Sequence, residues 1–418
     1  MMETFLVSIE IEGNQVPVGT IESQAGVIRF RYYPDYEGPR ISIGLPVQQE
    51  AFSPDKTKTF FNGLLPEGFT RAAVAGMMHT DEDNYIGMLY GLGRECLGAI
   101  RVYKEGEEEE LSYEKLDPER VKALAREGAG TSAELVTEAH LSLAGATGKA
   151  GLYFDGMDWY LPRGAAPSTH IVKQSHVRFG DIVINEQLSL LTAGKLGINV
   201  PESFVLNVGS FRDEDVLFAT RRYDRVMSET EIQGLKVPRR LHQEDFCQAM
   251  GIPGFLKYEP EGAGYMRGMF ETIRNYSANP LEDQASLWDM IVFDFLIGNT
   301  DAHIKNFSLL YSENLKTVRL SPAYDILSTI IYPGTARSMG FRIGGDGPIE
   351  NIDRESFGRA AVEAGLGKAF AMRRFDEMCQ RFEAALLESA RELYESGAVK
   401  ALEIKEKILA NAGYRNIS

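Results

Sequence analysis

The segment at residues 297–306 (IGNTDAHIKN) is a short polar stretch between two apolar segments. Such a stretch is typical of a loop that a packed scaffold holds in place. Asp301 and Asn306 lie five residues apart in it. In phosphoryl transfer, an Asp at such a position orients the attacking hydroxyl, and an Asn at this spacing binds magnesium. The alternative is a polar loop in which both side chains cap turns.

Asp325 follows Asn306 by nineteen residues and stands between apolar residues in LSPAYDILS. A carboxylate in an apolar setting needs a partner. Magnesium prefers hard oxygen ligands, so Asn306 and Asp325 are candidate metal ligands. The alternative for Asp325 is the N-cap of a helix.

Two charged residues upstream fit the same chemistry. Lys173 ends a predicted strand (THIVK), and Glu186 lies on the predicted helix that follows. A strand lysine that contacts nucleotide phosphates and pairs with a helical glutamate belongs to phosphoryl-transfer sites. Both residues fit equally well as surface charges, since most Lys and Glu are exposed.

The segment SLAGATGKAG at residues 142–151 is rich in small residues. Its backbone amides could contact phosphates at little steric cost. The segment is not a P-loop, because Leu143 stands where that motif requires glycine. A flexible turn is the alternative when the segment is considered alone.

The segment TRRYDR at residues 220–225 lies between the β-rich and the helical parts of the sequence. Tyr223 could flank an adenine ring; alternatively, Tyr223 is a core residue and Asp224 pairs with an arginine. A metal-dependent hydrolase that uses Asp301 and His303 is a weaker hypothesis. The other histidines have no metal-ligand spacing.

Composition restricts the classes of function. The chain has 418 residues, of which 44% are hydrophobic and 25% charged, as in ordinary globular proteins. The net charge of −16 argues against strong direct binding of nucleic acid by the bulk surface, although residues 236–240 (KVPRR) could form a small basic patch. Three distant cysteines without a CxxC motif predict a reducing compartment and no zinc site.

The N-terminal residues have no basic region followed by a long apolar one, so the sequence predicts no signal peptide. No stretch reaches the roughly 18 apolar residues of a membrane span. We therefore expect a cytoplasmic protein.

The first part of the chain is predicted to be β-rich, with a hairpin at Gly13-Asn14. A helix is predicted to begin within residues 60–68 (FFNGLLPEG) and to continue through FTRAAVAGMM, and a second helix surrounds NYIGMLYGLG. Asp117 and Pro118 predict a helix start, because a carboxylate cap precedes a proline at the first helical position.

Strands are predicted again over residues 140–225, with a hairpin turn at Asp155-Gly156 and a strand pair formed by SFVLNVG and VLFATRRYD. The segment NEQLSLLTAGKLGI is predicted to be an amphipathic helix with Gly197 at its C-terminal cap. One face would carry Ile184, Leu188 and Leu191. After residue 240 helical patterns dominate, in HQEDFCQAMG, SLWDMIVFDFLIG, RRFDEMCQRFEAALLESARELYES and IKEKILANAG.

This order of elements predicts an α+β fold, with a β-rich first half, a mostly helical second half, and two lobes with a cleft between them. The predicted domains are residues 1–110, the N-terminal subdomain; residues 111–225, the N-lobe with the phosphate loop; and residues 226–418, the C-lobe with the catalytic loop.

Taken together and in order, these motifs resemble those of the HipA-type serine/threonine kinase toxins of bacterial toxin–antitoxin systems. The matching segments cover almost the whole chain: FFNGLLPEG, GRECLGAI, SLAGATGK, THIVK, NEQLSLLTAGKLGINVPES, RRYDR, HQEDFCQAMG, GNTDAHIKNFSLLY and LSPAYDILS. The resemblance implies a β-rich N-terminal subdomain that precedes a protein-kinase-like core, with a β-rich N-lobe and a mostly helical C-lobe, and it implies the use of ATP and magnesium.

The resemblance also implies roles for individual residues. Asp301 would be the catalytic residue, Asn306 and Asp325 the metal ligands, and Ser142 an autophosphorylated serine whose modification switches the enzyme off. The candidate nucleotide site contains Ala144, Gly145, Ala146, Thr147, Gly148, Lys149, Lys173, Glu186, Arg221, Arg222, Tyr223, His303 and Tyr324. Of these, Glu186 is included because it lies on the helix after the strand that ends at Lys173.

Three positions depart from the best-known member of that family: Thr147 and Gly148 replace Gln and Glu, and Arg221 replaces Glu. The resemblance implies a small helix-turn-helix antitoxin (HipB-like) as partner, with DNA contacted only through it. It also implies a protein substrate such as an aminoacyl-tRNA synthetase, because the best-known target is glutamyl-tRNA synthetase. The alternative is a catalytically silent corepressor that binds the antitoxin.

Overall fold

The structure is a computed structural model in which two compact units are distinguished. The described residues are 2–92, 96–106, 111–127, 148–175, 178–411 and 413–417. The first unit comprises Met1–Gln174, Ala219–Gly254 and Leu310–Val318. The second comprises Ser175–Phe218, Phe255–Leu309 and Arg319–Ser418. The division into three consecutive domains stays a prediction.

The first unit begins with an antiparallel sheet of order β3-β2-β1-β4. Its strands are β1 (Met2–Ile11), β2 (Asn14–Gln24), β3 (Val27–Tyr32) and β4 (Ile100–Tyr103). The first hairpin is confirmed, but its two turn residues are Glu12 and Gly13, one position earlier than predicted. Both have a positive φ (51° and 83°), as the tight turn that matches strand twist requires.

Helices α1 (Pro54–Gly63), α2 (Gly68–Met77) and α3 (Tyr85–Leu92) follow β3 in the chain. The predicted helix through FTRAAVAGMM is confirmed as α2, which begins at Gly68, but residues 60–63 belong to a separate helix, α1, which ends at Gly63. Pro66 lies in the gap; it has no N–H and disfavours helical backbone at the residue before it. The predicted helix around NYIGMLYGLG is confirmed as α3.

Four strands of a second sheet follow in the first unit, in the order β5-β7-β6-β8 and with antiparallel pairing. Its strands are β5 (Leu111–Lys115), β6 (Lys149–Phe154), β7 (Trp159–Gly164) and β8 (His170–Gln174). The predicted turn at Asp155-Gly156 is confirmed: the Asp155 carboxylate accepts hydrogen bonds from the N–H groups of Met157 (2.8 Å) and Asp158 (2.7 Å). The predicted start of α4 (Pro118–Glu127) is confirmed as well.

The remaining strands of the first unit include β11 (Arg225–Ile232), β12 (Leu235–Arg240) and β13 (Gln243–Asp245). Most of the segment HQEDFCQAMG was predicted to be helical, but only α6 (Phe246–Met250) is. Asp245 caps α6 and exchanges hydrogen bonds with Gln248, which fixes the helix start. Gly251, with φ 70°, ends α6 after five residues.

The interior of the first unit contains paired charges. Asp224 is buried, and its carboxylate accepts hydrogen bonds from the Arg222 guanidinium at 2.8 and 2.9 Å. Arg225 lies 2.9 Å from the same carboxylate. Burial alone would raise the pKa of Asp224, but the two guanidinium groups lower it well below its usual range.

The second unit is mainly helical and packs around the long helix α10 (Lys368–Glu395). The other helices are α5 (Ile182–Lys195), α7 (Tyr265–Tyr276), α8 (Pro280–Ile297), α9 (Arg354–Glu363) and α11 (Lys400–Leu409). Trp288 on α8 donates a hydrogen bond from its indole N–H to the carbonyl of Ala371 on α10 (3.0 Å). Within the ranges described, no helix has both the length and the apolar content needed to cross a membrane.

Strand β9 (Ser203–Asn207) pairs with β10 (Val216–Arg221), so the predicted strand pair is confirmed. The other strands are β14 (Ser308–Tyr311), β15 (Val318–Leu320), β16 (Ser338–Ile343) and β17 (Asp346–Pro348). Gly197 ends the α5 region with φ 91°, as predicted.

Helix α5 differs from the prediction of one apolar face. Ile184 and Leu188 are buried as expected, but Leu191 is only half-buried. Polar side chains on the other faces are buried too: Asn185, Glu186, Gln187, Ser189 and Thr192. The helix is therefore enclosed on most sides, and its buried polar side chains need hydrogen-bond partners.

Glu244 is a buried acid in the first unit. Its carboxylate accepts hydrogen bonds from the hydroxyls of Ser42 (2.5 Å) and Tyr311 and from the N–H of Ile43 (3.0 Å). Burial raises the pKa of Glu244 from 4.5 to about 7, in spite of these hydrogen bonds. The ionised form therefore destabilises the fold.

We predict that Glu244→Gln removes a pH-dependent loss of stability. From pH 4.5 to about 7, the folded state retains a proton that the unfolded state has lost. The wild-type free energy of unfolding therefore falls as the pH rises through this window, by up to about 3 kcal/mol. Urea unfolding at pH 5 and pH 8 measures the difference, and Glu229→Gln, at an exposed residue of β11, is the control. Equal declines in wild type and Glu244→Gln would contradict the prediction.

Candidate active site

The polar loop begins where α8 ends. Gly298 follows the helix with φ 76°, and its N–H donates to the Phe295 carbonyl. A Cβ at this position would lie 2.3 Å from the Ile330 side chain. Only glycine satisfies both the backbone conformation and the close approach, so the chain leaves the helix in one defined direction.

The start of the loop is attached to the segment at residues 328–336. The N–H of Thr300 donates to the Thr329 hydroxyl (2.8 Å), and the Thr300 hydroxyl donates to the Ala336 carbonyl (2.8 Å). The N–H of Ile330 donates to the carbonyl of Gly298 (3.0 Å). These bonds fix the residues immediately before Asp301.

Asn185 on α5 positions the same segment from the other direction. Its side-chain amide donates to the Ser328 carbonyl (2.9 Å) and accepts from the Ser328 N–H (3.0 Å). Asn185 is fully buried, so both bonds are shielded from water. A buried amide that pairs with both backbone groups of one residue fixes that residue's position.

Asp301 is the exposed residue of a buried stretch. Ala302, His303, Ile304 and Lys305 are all buried. The Tyr258 hydroxyl donates a hydrogen bond to Asp301 Oδ1 (2.5 Å), and the Tyr258 ring meets the His303 ring edge to face, with centroids 5.1 Å apart. The Asp301 carboxylate is therefore open to solvent and held by a neighbouring phenol.

Asn306 and Asp325 lie on connected segments. The Tyr324 hydroxyl donates to the Lys305 carbonyl (2.9 Å) and lies 2.5 Å from the Ser308 hydroxyl oxygen. Lys305 and Ser308 flank Asn306, and Tyr324 precedes Asp325, so this hydroxyl keeps the two candidate metal ligands on adjoining segments.

The backbone of Asp325 is unusual. It has a φ of 58°, a left-handed conformation that is uncommon for residues other than glycine, and its side chain is half-buried. No helix begins at Asp325, so the alternative of an N-cap is wrong. Such backbone conformations persist where the surroundings enforce them, and they cluster at functional sites.

A cavity of about 10 Å³, enough for roughly one water molecule, lies beside Asn306. Its lining residues are Met290, Asp294, Asn299, Asn306, Phe307, Ala323, Tyr324 and Ile326. Burial raises the pKa of Asp294 to about 7, although the Asn299 side-chain amide donates to its carboxyl (2.8 Å). Asn299 Oδ1 is buried with no hydrogen-bond partner among the described residues.

These residues fit a magnesium ion. Asn306 and Asp325 offer an amide and a carboxylate oxygen, which are hard donors of the kind magnesium prefers. The lining of the small cavity is mainly apolar, but the unpartnered Asn299 oxygen in it is one further oxygen donor close to Asn306. Among the residues described, no group of three or more His, Cys, Asp or Glu side chains could hold a metal.

In the first unit, Lys149 and Lys173 are directly opposite each other on β6 and β8. Opposed residues of neighbouring strands have their side chains on the same face of the sheet. Lys173 is 9% exposed, and Lys149 is half-buried. Two ammonium groups on one face of a sheet are suitable contacts for an anionic ligand such as a phosphate group.

The other predicted nucleotide residues have different surroundings. Arg221 is exposed at the end of β10, and the Tyr223 hydroxyl donates to the Gln243 side chain. The Arg222 side chain is fully buried in its ion pair with Asp224, which confirms that Asp224 pairs with an arginine. That guanidinium is therefore not accessible to a ligand.

Glu186 is buried on α5 in the second unit. Gly148 precedes β6 in the first unit. The serine Ser142 and the loop residues Ala144, Gly145, Ala146 and Thr147 lie outside the described residues.

Sequence reasoning did not identify Tyr258, Asn185 or Asn299. Tyr258 lies 43 residues before Asp301, and Asn185 lies 143 residues before Ser328, so no local spacing links them. The available signal for Asn185 was a polar residue directly after three apolar ones, near the start of α5. Asn299 was visible as part of the polar loop but was assigned no role.

Two family models match the chain: the HipA N-terminal domain over residues 9–103 and the HipA-like C-terminal domain over residues 141–386. A protein of Sinorhizobium fredii named as a candidate kinase, Y4mE, is 32% identical over 368 residues, which are 85% of this chain and 84% of that protein. The serine/threonine-protein kinase toxin HipA of Shewanella oneidensis is 24% identical over 379 residues, which are 86% and 84% of the two chains.

The fold also matches a solved structure, that of the Shewanella oneidensis HipA, HipB and operator DNA complex. The TM-score is 0.78 at 21% identity, and the match covers 97% of this chain and 96% of the solved one. This likeness confirms the predicted fold class. The family models together cover most of the sequence. The chain belongs to the HipA family.

Proposed function

We propose that the protein is an ATP- and magnesium-dependent serine/threonine protein kinase that acts as the toxin of a toxin–antitoxin pair. The observation that carries the proposal is the loop at residues 299–306, which exposes the Asp301 carboxylate and holds it through buried neighbours. Family membership supports it, because a relative over 86% of the chain is a serine/threonine-protein kinase toxin.

In this proposal Asp301 orients the acceptor hydroxyl and accepts its proton. The acceptor oxygen forms a bond to the γ-phosphorus, and the bond from that phosphorus to the bridging oxygen of ADP breaks. Asn306 and Asp325 hold magnesium, which would neutralise charge on the phosphate oxygens.

Lys149 and Lys173 bind phosphate oxygens in this proposal, which their shared sheet face supports. Glu186 is included in the proposed nucleotide site because a helical glutamate accompanies the strand lysine in phosphoryl-transfer sites. The remaining residues of the nucleotide site are proposed from the family resemblance: Ala144, Gly145, Ala146, Thr147, Gly148, Arg221, Tyr223, His303 and Tyr324. Arg222 supports this region from the interior through Asp224.

We also propose a HipB-like helix-turn-helix antitoxin as partner. The HipA of similar fold was solved with HipB and operator DNA. The net charge of −16 is consistent with DNA contacts made by the antitoxin, because the bulk surface repels phosphate. The acceptor in this proposal is a translation component such as an aminoacyl-tRNA synthetase, and the cytoplasm is the site of action.

We predict that Asp301→Asn lowers phosphoryl transfer about 10²- to 10⁴-fold, because the amide cannot accept the acceptor proton. Transfer of radiolabel from ATP to protein measures the loss, and growth arrest on expression should disappear. Calorimetric titration with ATP-magnesium is the control, since nucleotide binding should remain. Equal labelling by wild type and variant would show that Asp301 is not the catalytic residue. Absence of nucleotide binding in the wild type would favour a silent corepressor.

We predict that Asn185→Leu raises the magnesium concentration needed for half-maximal activity, because the segment that carries Asp325 loses its anchor. Leaving the Ser328 backbone groups unpaired should also lower the free energy of unfolding by about 2–3 kcal/mol. Gln187→Leu on the same helix is the matched control, since Gln187 bonds to Ser203 instead. An equal magnesium dependence in the two variants would contradict the positioning role.

We predict that Ser142→Asp weakens phosphoryl transfer, because the added charge would lie beside the phosphates of the nucleotide. Ser142→Ala, which adds no charge, is the control and should retain activity. Both are compared by initial rates of radiolabel transfer. Full activity of Ser142→Asp would argue against inhibition by autophosphorylation.

A further inference from the structure

Residues 255–258 expose three large apolar side chains in succession. The exposed fractions are 83% for Phe255, 37% for Leu256 and 47% for Tyr258. We call these three residues the apolar patch. Single exposed apolar residues are ordinary, but a cluster of them on one short segment is typical of an interaction site.

The backbone beneath the patch is held in place. The Tyr265 hydroxyl donates to the Leu256 carbonyl (2.6 Å). Just after the patch, the Glu259 carboxylate accepts hydrogen bonds from the N–H groups of Gly264 (2.6 Å) and Arg342 (2.6 Å). The exposure is therefore a property of a fixed segment, and a partner would not have to order it on binding.

The patch adjoins the candidate catalytic carboxylate. The Tyr258 hydroxyl donates to Asp301 Oδ1, so an O–H group already reaches this oxygen from the side of the patch. In the proposed reaction, the acceptor hydroxyl must make the same type of hydrogen bond. An ionised carboxylate can accept several hydrogen bonds, so an acceptor Ser or Thr can bond to Asp301 beside the Tyr258 hydroxyl. Phe255 and Leu256 lie three and two residues before Tyr258 in the chain.

We infer that the apolar patch binds the acceptor polypeptide, and that the acceptor Ser or Thr has a large apolar side chain close to it in sequence. The inference rests on the proposed kinase function. Continuity of the patch with Asp301 identifies the occupant as a segment of the protein substrate. Aromatic and aliphatic side chains on a fixed backbone are effective anchors for such a segment, because they bury apolar area at a small loss of entropy.

The test begins with a dephosphorylated bacterial lysate as the pool of acceptors. Sites that are labelled from ATP by wild type and not by Asp301→Asn define the acceptor sequences. We expect these sites to have a Leu, Ile, Met or Phe at a fixed position near the phosphorylated residue. The acceptor protein and a variant of it with Ser at that position are then purified and compared.

A double-mutant cycle measures the contact itself. With wild-type kinase, replacing the apolar acceptor residue should raise the acceptor KM about tenfold. Phe255→Ser should have the same effect on the unchanged acceptor. In both cases the reason is that burying a large apolar side chain contributes about this much to affinity. The two changes together should raise the KM no further, because they remove the same contact. The KM for ATP should not change.

Leu281→Ser is the matched control, because Leu281 is 82% exposed in the first turn of α8 and lies outside the patch. It should leave the acceptor KM unchanged. Three results would overturn the inference while the kinase activity stands. They are additive effects in the cycle, equal KM values for Phe255→Ser and Leu281→Ser, and acceptor sites without a nearby apolar residue. So would a change of oligomeric state in Phe255→Ser without a change in KM. An absence of any Asp301-dependent labelling would instead refute the proposed function itself.

Discussion

The pairing of the Asn185 side chain with the backbone of Ser328 determines how the candidate site of the second unit is arranged. Both hydrogen bonds are buried, at 2.9 and 3.0 Å, so neither group can exchange its partner for water. The segment fixed in this way continues to Thr329 and Ile330, which bind the turn after α8. One buried amide therefore positions both the segment that follows Asp325 and the loop that carries Asp301.

Close backbone approach is the second constraint on this loop. A Cβ at Gly340 of β16 would lie 2.3 Å from the Ala302 carbonyl oxygen, and a Cβ at Gly298 would lie equally close to Ile330. Glycines at these two positions let the neighbouring segments pack against the loop on both sides of Asp301. The left-handed backbone of Asp325 persists under the same packing, because relaxing it would move a segment that several hydrogen bonds hold.

The parts of the fold that local chemistry determines were predictable from the sequence. Asp117 and Pro118 start α4, Asp155 closes a hairpin, and Gly197 ends the α5 region, because each residue acts on its immediate neighbours. Asp301, Asn306 and Asp325 were also selected from the sequence as candidate site residues, and their roles stay predictions. Tyr258 and Asn185 were not, because their contacts depend on tertiary folding. The burial of α5 on most sides was missed for the same reason. The spacing of apolar residues along the sequence indicates which face of a helix is apolar, but it does not show what its polar side chains contact.

Asp301 is exposed although the six residues around it, Asn299, Thr300, Ala302, His303, Ile304 and Lys305, are buried. Burying polar groups such as the His303 and Lys305 side chains costs free energy unless they are hydrogen-bonded. Stability alone therefore does not explain why these two side chains are enclosed while Asp301 is exposed. The arrangement is explained if the neighbours hold the backbone while the carboxylate meets a reactant. Rigid support of one exposed group is the property that positioning catalysis requires, because a displaced carboxylate would lose much of its effect on the rate.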